Sequence, residues 1–160
     1  MRVKNWLIIL SVVALASFAQ AAEVRIGGQL TGLTGYGANG FAGEFGGYLS
    51  VQGSVGRGLQ LRGVVEGGAL SGLKSVPILR LDADVLRYNE RFYYGGGLGS
   101  GAIFDFSDGG SGLPNIVLSP VALLNAHAVI GRDFGVYSVE GVVRAGAFLG
   151  LSVRASFPIR

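Results

Sequence analysis

Cysteine is absent from the sequence, which excludes a disulfide scaffold, a thiolate metal site, a cysteine nucleophile and a lipidated cysteine anchor. Charge is scarce as well, at 14% of the residues, while 49% are hydrophobic; a disordered chain shows the reverse balance. Proline occurs only 4 times, and the 29 glycines follow no three-residue period, so the chain is not collagenous. No stretch beyond the N-terminus offers the run of ~20 apolar residues that a spanning helix needs; 116–130 comes nearest, and Ser119, Pro120, Asn125 and His127 interrupt it.

What is present begins at the N-terminus. Arg2 and Lys4 precede the apolar run from Trp6 to Ala16, and Ala19-Gln20-Ala21 follows. A basic start, a short apolar centre and an A-x-A site describe a cleavable secretory signal helix over 1–21, leaving a mature domain over 22–160. Removing Arg2 and Lys4 leaves 11 basic against 10 acidic side chains, so the net charge falls from +3 to +1. That excludes the clustered basic surface nucleic-acid binding requires. Lys74 is the only lysine left; every other base is arginine.

The mature chain alternates with a period of two, the mark of strands with unlike faces. Eight segments carry the pattern: 23–36, 44–55, 59–67, 77–86, 92–104, 116–130, 136–145 and 149–157. In 77–86, Leu79, Leu81, Ala83 and Val85 alternate with Ile78, Arg80, Asp82 and Asp84; in 149–157, Leu149, Leu151, Val153, Ala155 and Phe157 oppose Ser152, Arg154 and Ser156. Segment 116–130 is the least regular. Gly56-Arg57-Gly58, 88–91 and 131–133 have the composition of tight turns, and of the alternate connections only 105–113 is long. An even number of strands of about ten residues, with no helices between them, predicts an all-β, eight-stranded, antiparallel up-and-down barrel of transmembrane length.

Alternation alone does not say which face points inward. The polar faces hold Glu23, Glu44, Glu66, Asp82, Asp84 and Glu140 with Arg25, Arg62, Arg80, Arg144 and Arg154, a near balance of charge that suits an enclosed network. A hairpin centred near 73 sets Arg62 against Asp84 and Glu66 against Arg80; one centred near 147 sets Glu140 against Arg154. Guanidinium forks satisfy carboxylates bidentately in a narrow lumen, where lysine does so less well. Aromatic residues fall into two belts: Tyr36, Phe41, Phe45, Phe104 and Phe106 near one set of strand ends, and Phe92, Tyr94, Phe134, Tyr137 and Phe157 near the other. Such girdles mark the two interfaces of a membrane barrel. The inverted alternative is a soluble periplasmic barrel with the apolar face inward around an apolar ligand.

The secretion signal, eight alternating segments, charged lumen and paired girdles resemble the small eight-stranded outer-membrane barrels of the OmpA and OmpX type. The resemblance implies residence in the outer membrane of a diderm bacterium, contact with membrane lipids, and a structural or surface-interaction role through loops, with a partner the sequence does not name. Members of that group commonly end on an aromatic residue; here Phe157 is followed by Pro158, Ile159 and Arg160. Eight strands enclose room for side chains and no wide pore.

No metal, cofactor or catalytic set is expected. His127 with Ser119 or Ser138 and Glu140 is the one constellation compatible with acyl-ester hydrolysis on lipids, and a hydrogen-bonded structural histidine is the competing reading. Tyr93-Tyr94-Gly95-Gly96-Gly97-Leu98-Gly99 lacks the Gly-Lys-Ser/Thr ending of a phosphate loop. Its inward glycines, Gly95, Gly97, Gly99 and Gly101, are expected to make room for Tyr48, Arg62 or Arg154. Asp105 and Asp108 do not have the spacing of a calcium loop.

Overall fold

The computed structural model describes residues 22–34, 40–71, 76–105, 115–118 and 123–159. The segment read as a signal lies outside them, as do Tyr36, Phe106, Asp108 and Ser119. Nine strands follow in chain order: β1 (Glu23–Thr34), β2 (Phe41–Gly56), β3 (Leu59–Ser71), β4 (Val76–Asn89), β5 (Phe92–Asp105), β6 (Asn115–Leu118), β7 (Asn125–Asp133), β8 (Ser138–Gly146) and β9 (Leu149–Ile159).

Neighbours pair antiparallel, β4 pairs β5, and β1 pairs β9, so the sheet closes on itself. The ring has eight walls, because β6 and β7 both lie against β5 and share one position. Segment 116–130, the least regular in the sequence, is the wall interrupted in this way. The fold is therefore an all-β, eight-stranded antiparallel closed barrel, as the alternation predicts.

Register fixes its dimensions. Cα partners run from Val24 through Val51, Gly63, Ala83, Leu98, Ala126, Ala145 and Leu149 to Thr34. One circuit thus returns to β1 displaced by 34 − 24 = 10 residues. With strands ~4.8 Å apart and a rise of ~3.3 Å per residue, that stagger tilts them by roughly 40° from the axis. An eleven-residue strand at this tilt rises about 28 Å, close to the thickness of a bilayer's hydrocarbon core.

The two ends differ. At one, β2–β3 and β4–β5 are joined by two-residue turns and β7–β8 by 134–137, and both Glu23 and Ile159 lie there. Arg57 and Gly58 both have positive φ (54° and 73°), the sign pattern of a type I′ turn that matches the twist of a hairpin. Glycine at 58 takes this conformation without a Cβ clash; Arg57 does so at some cost in strain. At the other end lie Thr34, Gly40, Ser71, Val76, Asp105, Asn115, Leu124 and 147–148.

The alternation resolves into an inverted barrel. Arg25, Arg62, Glu66, Arg80, Asp82, Asp84, Glu140, Arg144 and Arg154 are buried, while Leu30, Leu81, Leu98, Ile130 and Val153 are exposed, Leu98 by 70%. Apolar side chains in the soluble alternative would occupy the lumen instead. Two apolar layers do lie inside, one near each end of the charged zone. Leu33, Ala42, Leu70, Ile78, Ile103 and Leu123 cluster at the loop end with Val76 and Phe148. Leu86, Tyr93, Val129 and Val142 cluster toward the turn end with Tyr88.

Candidate functional site

The lumen between these layers is the site. Each inward side chain comes from one parity of a strand, so burial and partner choice follow from register. Arg62 and Asp84 are Cα partners across β3–β4, as are Glu66 and Arg80; Glu140 and Arg154 are partners across β8–β9. These are the pairs that hairpin arithmetic sets opposite each other.

Side chains reach further than their strand neighbours. Arg62 donates through Nε to Asp84 Oδ2 at 2.8 Å and through Nη1 to Glu140 Oε2 at 2.6 Å. Arg144 donates to Glu66 at 2.6 Å, Asp82 at 2.8 Å and Ser152 at 2.8 Å. Arg154, with no solvent exposure, contacts Glu66, donates to Glu140 at 3.1 Å and Asp82 at 3.2 Å, and uses Nε for Gln29 at 3.1 Å. Arg80 turns mainly to Glu44, at 2.6 Å, and stays 3.8 Å from its register partner Glu66. The contacts Arg62–Glu140, Arg144–Glu66 and Arg154–Asp82 each join strands four places apart on an eight-membered ring, so they cross the full lumen.

Five carboxylates (Glu44, Glu66, Asp82, Asp84, Glu140) thus meet four guanidiniums, and His127 stands on Asp84 through Nε2 at 2.5 Å. Its Nδ1 lies 3.2 Å from Asn125 Oδ1. Tyr93 donates to Glu140 at 2.9 Å. Removing such charges from water is costly, and it is offset only when every member is paired. The planar fork of arginine serves two carboxylates at once, which accounts for arginine being the only strong base of this network among the described residues.

The sequence reading placed Glu44, Asp82 and Arg144 on the polar face without naming partners, and it missed Gln29 and Tyr93 as members of the network. Their inward parity was the available signal. The hydrolytic constellation does not assemble through Ser138, whose hydroxyl pairs with Ser156 at 2.8 Å while His127 faces Asp84 and Asn125; Ser119 is outside the described residues.

The inward glycines need a correction. A Cβ at Gly97 would meet Asp84 Oδ1 at 2.5 Å and His127 Nε2 at 2.8 Å; one at Gly99 would meet Asp82 Oδ1 at 2.0 Å; one at Gly101 would meet Arg80 Cγ at 2.8 Å; and one at Gly95 would meet Val85 O at 2.0 Å. They accommodate flanking strands, not Tyr48, Arg62 or Arg154. Tyr48 lies over Gly27 instead, where a Cβ would come within 2.7 Å of its ring, and Tyr93 over Gly131, at 2.3 Å. A large side chain on one strand is matched by glycine on the next, a pairing that periodicity does not reveal.

Among the described belt residues, Phe41 and Phe45 are exposed toward the loop end, with Phe104 half-buried. Phe92, Tyr94, Phe134, Tyr137 and Phe157 are exposed toward the turn end. There Phe134 stacks on Tyr137 at 4.8 Å between centroids, and Tyr137 meets Phe157 at 6.4 Å. Asp105 ends β5, and no group of metal-ligating side chains occurs among the described residues.

No protein-family model and no curated protein matches the chain in sequence. Solved structures match its fold. Ail, the attachment invasion locus protein of Yersinia pestis, superposes with a TM-score of 0.56 at 14% identity, covering 86% of this chain and 97% of that one. A second structure of Ail, in complex with the heparin analogue sucrose octasulfate, gives 0.55 at 13% identity over the same shares. The N-terminal β-barrel domain of Pseudomonas aeruginosa OprF gives 0.45 at 14% identity, covering 84% of this chain and 97% of that domain.

Proposed function

We propose that this chain is an integral outer-membrane barrel of a diderm bacterium, with a side-chain-filled lumen, no wide pore, and a structural or surface-interaction role carried by the loop end. The observation that carries the reading is the inverted polarity: arginines and carboxylates buried within, and leucine, valine and phenylalanine exposed without. In water such a wall is an aggregation hazard, since monomers rarely expose contiguous apolar patches above a few hundred Å². Facing lipid, it is the favourable arrangement, because closure pairs the backbone groups of neighbouring walls around the ring, the wall shared by β6 and β7 being the one interrupted. The strand rise and the two aromatic belts fit the same setting.

The role at the loop end is of the interaction type. Ail was solved with a polysulfated heparin analogue. In this chain the segments 35–39, 72–75, 106–114 and 119–122 hold only Lys74 and Asp108 as charged residues. That composition offers little to a polyanion, so the ligand class seen with Ail is not carried over to this chain.

Membrane fractionation with a heat-modifiability gel tests the location. The mature chain is expected in the outer-membrane fraction, with a faster-migrating unheated band. Recovery as a soluble, non-shifting protein without detergent overturns the reading. In planar bilayers, conductance well below that of a general porin is the accompanying expectation.

A further inference from the structure

The nine described arginines form two sets. Five point inward (Arg25, Arg62, Arg80, Arg144 and Arg154), and each has a carboxylate partner. The other four, Arg57, Arg87, Arg91 and Arg132, are exposed, and no described carboxylate lies within ion-pair distance of them. All four are at the turn end. Arg57 and Arg91 occupy turns. Arg87 and Arg132 differ, because they stand on the outward parity of β4 and β7, in line with the apolar side chains Val85 and Ile130.

The wall around these two is specific. Arg87 is the Cα partner of Tyr94, and Arg132 that of Phe92, both on the intervening β5. The Arg132 guanidinium lies 4.8 Å from the Phe92 ring centroid and 5.1 Å from that of Phe134. Two strand spacings and a two-residue offset put the Cα atoms of Arg87 and Arg132 on the order of 12 Å apart. The result is two guanidiniums on one belt of the outward wall, Arg132 seated on aromatic rings and Arg87 beside Tyr94 in register, at the depth where rings and head groups mix, with no acceptor for their donors among the described residues.

We propose that Arg87 and Arg132, with Phe92 and Tyr94 between them, form a binding surface for the phosphate groups of anionic phospholipids in the leaflet at the turn end. This inference rests on the membrane reading above. A guanidinium fork matches two phosphate oxygens, and rings beneath it hold its plane in place. The charge of the patch selects the lipid. Glu90, exposed on the turn three residues beyond Arg87, is the nearest unpaired acid in sequence, and the outward parity of β4, β5 and β7 carries no carboxylate among the described residues, so the balance of charge favours an anionic head group over a zwitterionic one. Among the described residues the loop end carries no exposed basic side chain.

The test reconstitutes the mature barrel in vesicles of phosphatidylcholine alone, and in two parts phosphatidylcholine to one part phosphatidylglycerol. Spin-labelled phosphatidylglycerol and phosphatidylcholine then report relative association with the protein surface. Wild type is expected to favour the anionic label, weakening with salt, and R87Q/R132Q to lose most of that preference, by about five-fold for each arginine at low salt. R57Q/R91Q is expected to keep most of it. Equal association of both labels with wild type, or a preference that survives R87Q/R132Q or vanishes only in R57Q/R91Q, overturns the site. Heat modifiability in neutral vesicles is read in parallel. A chain that fails to insert there overturns the membrane reading and this surface with it, whereas a properly inserted chain without lipid preference overturns only the surface.

Discussion

The two faces of β4 hold opposite chemistries one residue apart. Arg80, Asp82 and Asp84 are buried, while Leu79, Leu81 and Val85 alternate with them and are exposed. In a soluble protein the same strand would be turned over. What separates the faces is not how polar each residue is but whether partners exist for it. Inside, Asp84 has Arg62 and His127, and Asp82 has Arg144 and Arg154. Outside, from Leu79 to Val85, no acceptor or donor is offered and only side chains that need none are placed there; Arg87 departs from this at the turn end.

The largest effect is expected from breaking the inner face at its most connected member. Arg154→Ala removes one cation from three carboxylates at once, leaving Glu66 and Asp82 to share Arg144 and Glu140 to rely on Arg62 and Tyr93, and loss of one partner from a buried ionic group costs about 3–5 kcal/mol. A urea titration followed by the heat-modifiable band should show the midpoint collapse or the folded band disappear. Folding at the wild-type midpoint would mean that the lumen is wet and its charges independently solvated.

Breaking the outer face comes next. Leu81→Arg puts a charge on the outward wall near its middle, and about 2–4 kcal/mol is the expected loss if that wall lies in hydrocarbon. The measurement is the same titration in vesicles, and an unchanged midpoint there would show that this wall does not face hydrocarbon. His127→Gln is milder. It replaces one Asp84 contact while Arg62 remains, so about 1–2 kcal/mol is expected from one weakened buried hydrogen bond. An enzyme-like role for the imidazole would instead appear as an altered lipid profile with stability intact. The smallest effect belongs to Arg57→Gln on its turn, within about 0.5 kcal/mol, as for surface substitutions away from special contacts. The distance between that value and Arg154→Ala measures how far enclosure changes what one residue type is worth.

Much of this contrast is legible along the chain. Period-two alternation in 77–86 and 149–157 marks two-faced strands, and turn composition at 56–58 sets a hairpin. Equal spacing from a turn then brings Arg62 to Asp84 and Glu140 to Arg154. These are local relations, fixed by a rise of one residue and a reversal of direction, so they survive reading in one dimension. The apolar layers inside were less legible. Ile78 and Val64 share the inward parity with charged residues, and a face dominated by arginine and carboxylate hides them. The interruption between β6 and β7 was visible only as irregular alternation.

The eight walls, the two-faced character of the strands and the hairpin pairings were already determined by the order of residues, because each depends on alternation and on short turns. Closure of β1 on β9, the stagger of ten residues and the contacts that cross the lumen required the assembled barrel. Arg80 shows why: its register partner is Glu66, yet it bonds Glu44, because tilt and curvature bring that carboxylate nearer than the one directly opposite. A partner four strands away depends on the circumference and shear of the whole ring, and no local run of residues contains those quantities.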